Sequence, residues 1–367
     1  MIHSSSMGEF EHIKPLIKSI KETFSLNIVV TFFSPSGYEN VKKFEGVDLF
    51  LYLPFDFIFQ WSQVYRKLNA KMLIISKHDV WPNQIKAAKK YGVNSILVNA
   101  SIGSKSSRTS LISRILLSNA YRNLDRMFVI SAEDSSRFVK AFKCKNIDIA
   151  GDTKFDQVLI RQKEAMKKDL VDHSWLSKKL ILVYGSLWPQ DAQHVLVHIN
   201  EILEKYKQLK IIIVPHQPTQ EILNDFIKYL GQNSFTLYSD RHLIDSSRIL
   251  IVDKIGMLAD IYKYAHIAYV GGSFKQGIHN VMEPAIYGIP VLYGPKHTNS
   301  FEATQLLKAE GGISVNNAEE FFEKIKLLIE SEEMRNNTGL RAKNFVYKNT
   351  GSTQKILTYI RDCLQES

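Results

Sequence analysis

Cysteine is nearly missing from this sequence: Cys144 and Cys363 are the only two in 367 residues. They stand far apart and outside any CxxC or metal-ligand spacing. That pattern gives no ground for a disulfide scaffold or a zinc module and reads as reduced thiols in a cytosolic protein. Long apolar runs are also lacking. None approaches the ~20 residues that a membrane span needs, and the start carries no signal-peptide pattern. Internal repeats and low-complexity segments are absent. Negative charge is in deficit, with 37 Asp+Glu against 47 Lys+Arg, and the deficit is uneven. Residues 1–158 hold 22 basic and 14 acidic side chains, the remainder 25 and 23. Such asymmetry suggests that the first half faces something anionic, nucleic acid or a lipid surface, or else that the whole proteome is lysine-rich.

What is present is the composition of a globular protein, 45% hydrophobic and 23% charged. The chain is too long for one ordinary core, so two domains are expected. Short apolar β-rich runs alternate with helix-period segments throughout, which predicts parallel sheets flanked by helices. The expected layout is α/β, two Rossmann-like domains facing across a cleft. Residues 1–155 form the first, 156–345 the second, and 346–367 a C-terminal helix that packs back on the first.

The stretch from Val270 to Pro295 organises the second half. An apolar run ends in Gly271-Gly272, a helical pattern follows, and Pro290-Val-Leu-Tyr293 closes the unit: a βαβ unit with a ligand-sized gap at its switch point. The paired glycines let backbone approach a ligand, and a helix N-terminus after them offers N–H groups to an anion. His279, Asn280 and Glu283 follow, with Asn280 and Glu283 expected on one helical face and Glu283 able to accept two ribose hydroxyls.

In the first half, carboxylates recur at strand ends. Glu9 sits where a strand meets a helix expected over Phe10 to Phe24, either a functional position or a helix-terminus charge. Asp79 follows strand Met72–Ile75, with Trp81 placed to stack on a sugar face or simply to pack. The segment from Arg108 to Arg126 is expected to be helical. It mixes Leu111, Ile112, Ile115 and Leu116 with four arginines, either a helix lying on an anionic membrane or a core helix with a wet basic face.

With these residues in view, the chain resembles the 3-deoxy-D-manno-octulosonic acid (Kdo) transferases, GT-B glycosyltransferases that act on lipid A. The family's Ser-x-Gly-Glu falls on Ser6-Met7-Gly8-Glu9, and its acidic-x-Trp-Pro-Asn on Asp79-Val-Trp81-Pro-Asn83. Gly-x-x-Lys-Phe-Asp falls on Gly151 to Asp156. Gly-Gly-Ser-Phe and His-Asn-x-x-Glu-Pro-Ala fall on Gly271 to Phe274 and His279 to Ala285. Five motifs in order carry the resemblance. It implies Glu9 as general base and an acceptor side of Ser6, Asp79 and Trp81. It implies a donor side of Lys154, Ser186, His216, Gly271, Gly272, Ser273, His279, Asn280 and Glu283. The implied reaction is an inverting, metal-independent transfer from CMP-Kdo to tetraacyl lipid A. No cofactor and no nucleic acid are expected, and the protein is expected to be a monomer on an anionic membrane surface, the cytoplasmic face of the inner membrane. An Asp-x-Asp motif, the usual metal anchor for a sugar nucleotide, is missing, in keeping with that expectation.

Departures from the pattern stand out. Lys77 and Asp79 occupy the places of two glutamates, and Pro215-His216-Gln217-Pro218 replaces Pro-Arg-His-Pro. Asn99-Ala-Ser-Ile-Gly stands where an arginine-bearing segment is usual, and the chain begins inside the expected first strand, without the family's anchor. The alternatives are a UDP-sugar 2-epimerase, which shares the architecture, and a non-catalytic lipid A or nucleotide binder.

Overall fold

A computed structural model describes residues 1–41, 43–103 and 106–365. The chain divides into two compact units, Met1–Gln157 with Asn349–Ser367, and Val158–Lys348.

In the first unit seven parallel strands form one sheet in the order β3-β2-β1-β4-β5-β6-β7. They are β1 (Ile2–His3), β2 (Val29–Phe32), β3 (Leu49–Tyr52), β4 (Met72–Ser76), β5 (Asn94–Ala100), β6 (Arg126–Val129) and β7 (Ile147–Ile149). Burial on both faces explains why β4 reads as a continuous apolar run rather than an alternating one. The order reverses at β1, which pairs with β2 on one side (Ile2↔Val30) and with β4 on the other (Ile2↔Ile74). Open parallel sheets bind ligands beyond the strand ends at such a reversal. The residues that follow β1 and β4, Ser4 to Glu9 and Lys77 to Trp81, therefore meet there.

Ser6 caps the first helix, Met7–Thr23, from an extended conformation, so Gly8 and Glu9 lie inside its first turn. The helix predicted from Phe10 thus starts three residues earlier. The last helix, Ser352–Gln365, buries Ile356, Leu357 and Ile360 in the same core as Phe10, Ile13 and Leu16 of the first. Asp156 anchors the start of that last helix: its carboxylate accepts the Gly351 and Thr353 N–H groups at 2.6 and 2.7 Å.

The helix expected over Arg108 to Arg126 runs Leu111–Arg122, and Arg126 opens β6. Its apolar side is not in the core: Leu111, Ile112, Ile115 and Leu116 are 75, 73, 72 and 64% exposed. Ala120 and Tyr121 are the residues it buries.

The second unit carries β8 (Leu180–Leu187), β9 (Leu209–Pro215), β10 (Phe235–Leu237), β11 (Ile249–Ile251), β12 (Ile267–Val270), β13 (Val291–Tyr293) and β14 (Gly312–Ser314). All are parallel, in the order β10-β11-β9-β8-β12-β13-β14. The reversal lies between β8 and β12, not between β12 and β13 as the βαβ reading placed it. Two helices, Pro189–Val195 and Ile199–Lys205, follow β8.

The helix predicted directly after Gly272 is also corrected. It begins only at Met282 and ends at Ala285. Gly272 (φ +95°) and Gly277 (φ +113°) take left-handed backbone, and the Gly277 N–H closes onto the Gly272 carbonyl at 2.8 Å. The chain therefore leaves β12 in a tight loop, and Gly272 presents no helix N-terminus to an anion.

Candidate functional site

Two clusters occupy the two sheet reversals. In the first unit the carboxylate of Glu9 accepts the Ser5 N–H at 2.7 Å, while the Ser5 hydroxyl donates to Asp79. Ser5 thus links two acids that are 70 residues apart in sequence, and Arg108 approaches the other oxygen of Asp79 at 3.5 Å. Burial raises the pKa of Glu9 above the usual carboxylate range, and the charge of Asp79 adds to this. The Ser5 N–H, Lys77 and Arg108 act in the opposite direction. A partly buried carboxylate with a raised pKa at a sheet reversal is equipped to take a proton.

Ser6 spends its oxygen on the Glu9 N–H at 3.4 Å. Trp81 lies against Phe33, ring centroids 5.4 Å apart, and its indole nitrogen is buried with no hydrogen-bond partner among the described residues. Lys154 pairs with the buried Asp152 at 3.4 Å, and Asp152 also faces His12 at 3.6 Å. Burial lowers the pKa of Lys154, opposed by Asp152.

In the second unit Asp191 is the hub. It is fully buried and accepts from the Gly272 N–H (2.7 Å), the Trp188 N–H (3.1 Å) and the Tyr269 hydroxyl (3.0 Å). A Cβ on Gly271 would stand 2.3 Å from the carbonyl oxygen of Ser186, itself in left-handed backbone at φ +48°. Only glycine lets these two strand ends meet. Ser273 is buried and its hydroxyl oxygen accepts the Gly294 N–H at 2.6 Å, bracing β13 against the loop.

Beside them Trp188, His216 and His279 form a stack. Trp188 and His216 lie 4.1 Å apart at 18°, and His216 and His279 4.6 Å apart at 28°. Glu283 stands next to Asn280, as the spacing predicts, though through a capping turn rather than a shared helix face. Asn280 accepts the Met282 N–H at 3.0 Å and donates to Glu283 at 3.2 Å. Arg161 donates to the same oxygen, Oε1, at 2.6 Å. Burial raises the pKa of Glu283, and Arg161 opposes it.

Sequence reasoning missed Ser5, Arg108, Arg161, Trp188 and Asp191. For Asp191 a signal existed: an acid three residues after Trp188 with Pro at the first helical position is a helix-start pattern. Nothing in the sequence marks Arg161 as the partner of Glu283.

Residues 1–157 match the family described as 3-deoxy-D-manno-octulosonic-acid transferase (kdotransferase). The chain is 30% identical over 335 residues to the 3-deoxy-D-manno-octulosonic acid transferase of Aquifex aeolicus, covering 89% of this chain and 85% of that one. With the enzyme of that name from Haemophilus influenzae it shares 25% identity, covering 100% and 87%. Among solved structures, UDP-GlcNAc 2-epimerase from Neisseria meningitidis superposes with a TM-score of 0.65 at 12% identity, covering 100% and 99%. The corresponding epimerase of Methanocaldococcus jannaschii gives 0.58 at 17%, covering 98% and 99%. At such identities these two likenesses speak for the GT-B fold alone.

Proposed function

Since this chain belongs to the Kdo transferase family and is a glycosyltransferase, we propose that it moves Kdo from CMP-Kdo to a tetraacyl lipid A precursor, with inversion and without a metal. The observation that carries the reading is the Glu9 carboxylate, held by Ser5 at the sheet reversal of the first unit. Glu9 takes the proton of the attacking 6′-hydroxyl. The new C–O bond forms at the anomeric carbon of Kdo as its bond to the CMP phosphate breaks, and CMP departs from the opposite face. A positioned base contributes about 10²–10⁴-fold in rate. Ser6, Asp79 and Trp81 form the acceptor side. On the second unit Ser186, His216, Gly271, Gly272, Ser273, His279, Asn280 and Glu283 form the donor side, several of them by shaping the loop rather than by direct contact, and on the first unit Lys154 is assigned to the donor. Transfer measured with and without EDTA, with NMR of the anomeric configuration, tests the finer terms. An unchanged rate and an inverted linkage are expected; chelator-sensitive or retained chemistry contradicts them.

Arg161 and Asn280 both donate to Oε1 of Glu283, and we assign Oε2 to the cytidine ribose. Glu283→Ala is expected to weaken CMP binding by about 1.5–3 kcal/mol, the usual range for hydrogen bonds to a charged group. Calorimetry showing unchanged CMP affinity would remove Glu283 from the site.

The exposed apolar side of helix Leu111–Arg122, with Arg108, Arg114 and Arg122 around it, supports a peripheral position on an anionic membrane, which we assign to the cytoplasmic face. No helix among the described residues is long and apolar enough to cross a membrane. Burying an aliphatic side chain in lipid is worth about 1.5–3 kcal/mol. Leu111→Ser with Ile115→Ser is therefore expected to weaken binding to anionic vesicles at least about tenfold. Unaltered sedimentation with vesicles would overturn that surface.

A further inference from the structure

Trp188 is not among the donor-side residues assigned above, yet it is bonded to one that is. Its indole N–H donates to Nε2 of His279 at 2.9 Å. An indole nitrogen can only donate, so this bond exists only while Nε2 of His279 carries no proton. In a neutral imidazole the proton must then sit on Nδ1. Among the described residues Nδ1 has no hydrogen-bond partner of its own. His279 therefore presents a donor with nothing in the protein to receive it, eight residues after Gly271 and packed over the Gly272 loop.

We propose that Trp188 is a positioning residue that holds His279 as its neutral Nδ1–H tautomer and so aims that N–H at a phosphate oxygen of the nucleotide donor. This rests on the donor-binding reading of the second unit. The surroundings fit the assignment. Trp188 is fixed at both ends, its backbone N–H on Asp191 and its ring face on His216. His216 is held in turn by its own N–H to the Leu187 carbonyl at 2.9 Å. Among the described residues the titratable group that faces His279 is His216. Burial lowers the pKa of His279, and His216 lowers it further, in the direction the indole bond also demands. A neutral donor of fixed tautomer binds an anion without changing its own charge over the physiological range.

The decisive measurement needs no substrate. NMR of the intact protein with labelled histidine, His279 assigned through His279→Ala, reports which ring nitrogen is protonated. The Nδ1–H form is expected from about pH 8 to about pH 7. The Nε2–H form, or an imidazolium within that range, would overturn the proposal. Trp188→Phe keeps the stacking face and removes only the donor. In that variant the His279 tautomers are expected to mix and the ring to titrate. CMP binding at neutral pH should weaken about threefold to tenfold, as the competent tautomer becomes a minor fraction. The deficit relative to wild type should shrink toward about pH 6, where a charged His279 attracts phosphate. A Trp188→Phe protein with the same tautomer as wild type would also sink the idea. Wild-type protein that shows the Nδ1–H form but binds no CMP would instead count against the donor reading.

Discussion

Glu9→Gln is expected to lower Kdo transfer by about 10²–10⁴-fold while CMP affinity stays within about twofold. The amide keeps the length of the side chain and can still accept the Ser5 N–H, so the helix start should survive; what it loses is proton affinity. The raised pKa of Glu9 adds a pH signature. The carboxylate is the working form, so kcat/KM should fall as pH drops through the Glu9 pKa, and that limb should lie above the range of an exposed glutamate. Arg108 is one of the charges that lower the pKa of Glu9, so Arg108→Ala should push the limb higher. A rate measured across pH separates these outcomes. Near-normal turnover in Glu9→Gln would show that another group takes the proton.

The second large effect concerns a residue that touches no substrate. Asp191→Ala removes the acceptor of three donors, the Gly272 and Trp188 N–H groups and the Tyr269 hydroxyl. Each buried donor left unmade costs about 1–3 kcal/mol, so the loss is expected to reach about 3 kcal/mol or more. For a domain of this size about 2–4 °C of melting temperature accompanies each kcal/mol, so a fall of about 6 °C or more is expected by calorimetry. Asp191→Asn keeps an acceptor oxygen and should fall between the two. CMP binding is expected to weaken in the same order, because the bond to Gly272 sets the path of the loop. A melting temperature that hardly moves in Asp191→Ala would mean that the loop holds itself.

The sheets were legible because buried parallel strands leave continuous apolar runs such as Met72-Leu-Ile-Ile75 and Ile211-Ile-Ile213. Strand order was not, since nothing local says that β11 inserts between β9 and β10. The segment after Gly272 was misread because the helical period of its side chains was taken without the two left-handed glycines, which turn the backbone before a helix can start. Helix Leu111–Arg122 shows a different limit. Periodicity finds an apolar side but not whether that side faces a core or the outside, and here it faces outward. At the site, motif residues were legible one by one. Their partners were not: Ser5 reaches Asp79, and Arg161 reaches Glu283, only through the fold.

The most direct measurement incubates the wild-type protein with CMP-Kdo and tetraacyl lipid A and resolves the lipid products by mass, with UDP-N-acetylglucosamine alone as the parallel reaction. Lipid carrying added Kdo, with stoichiometric release of CMP and no conversion of the UDP-sugar, is the result expected. An unaltered lipid beside an epimerised UDP-sugar, or beside no product at all, would contradict it.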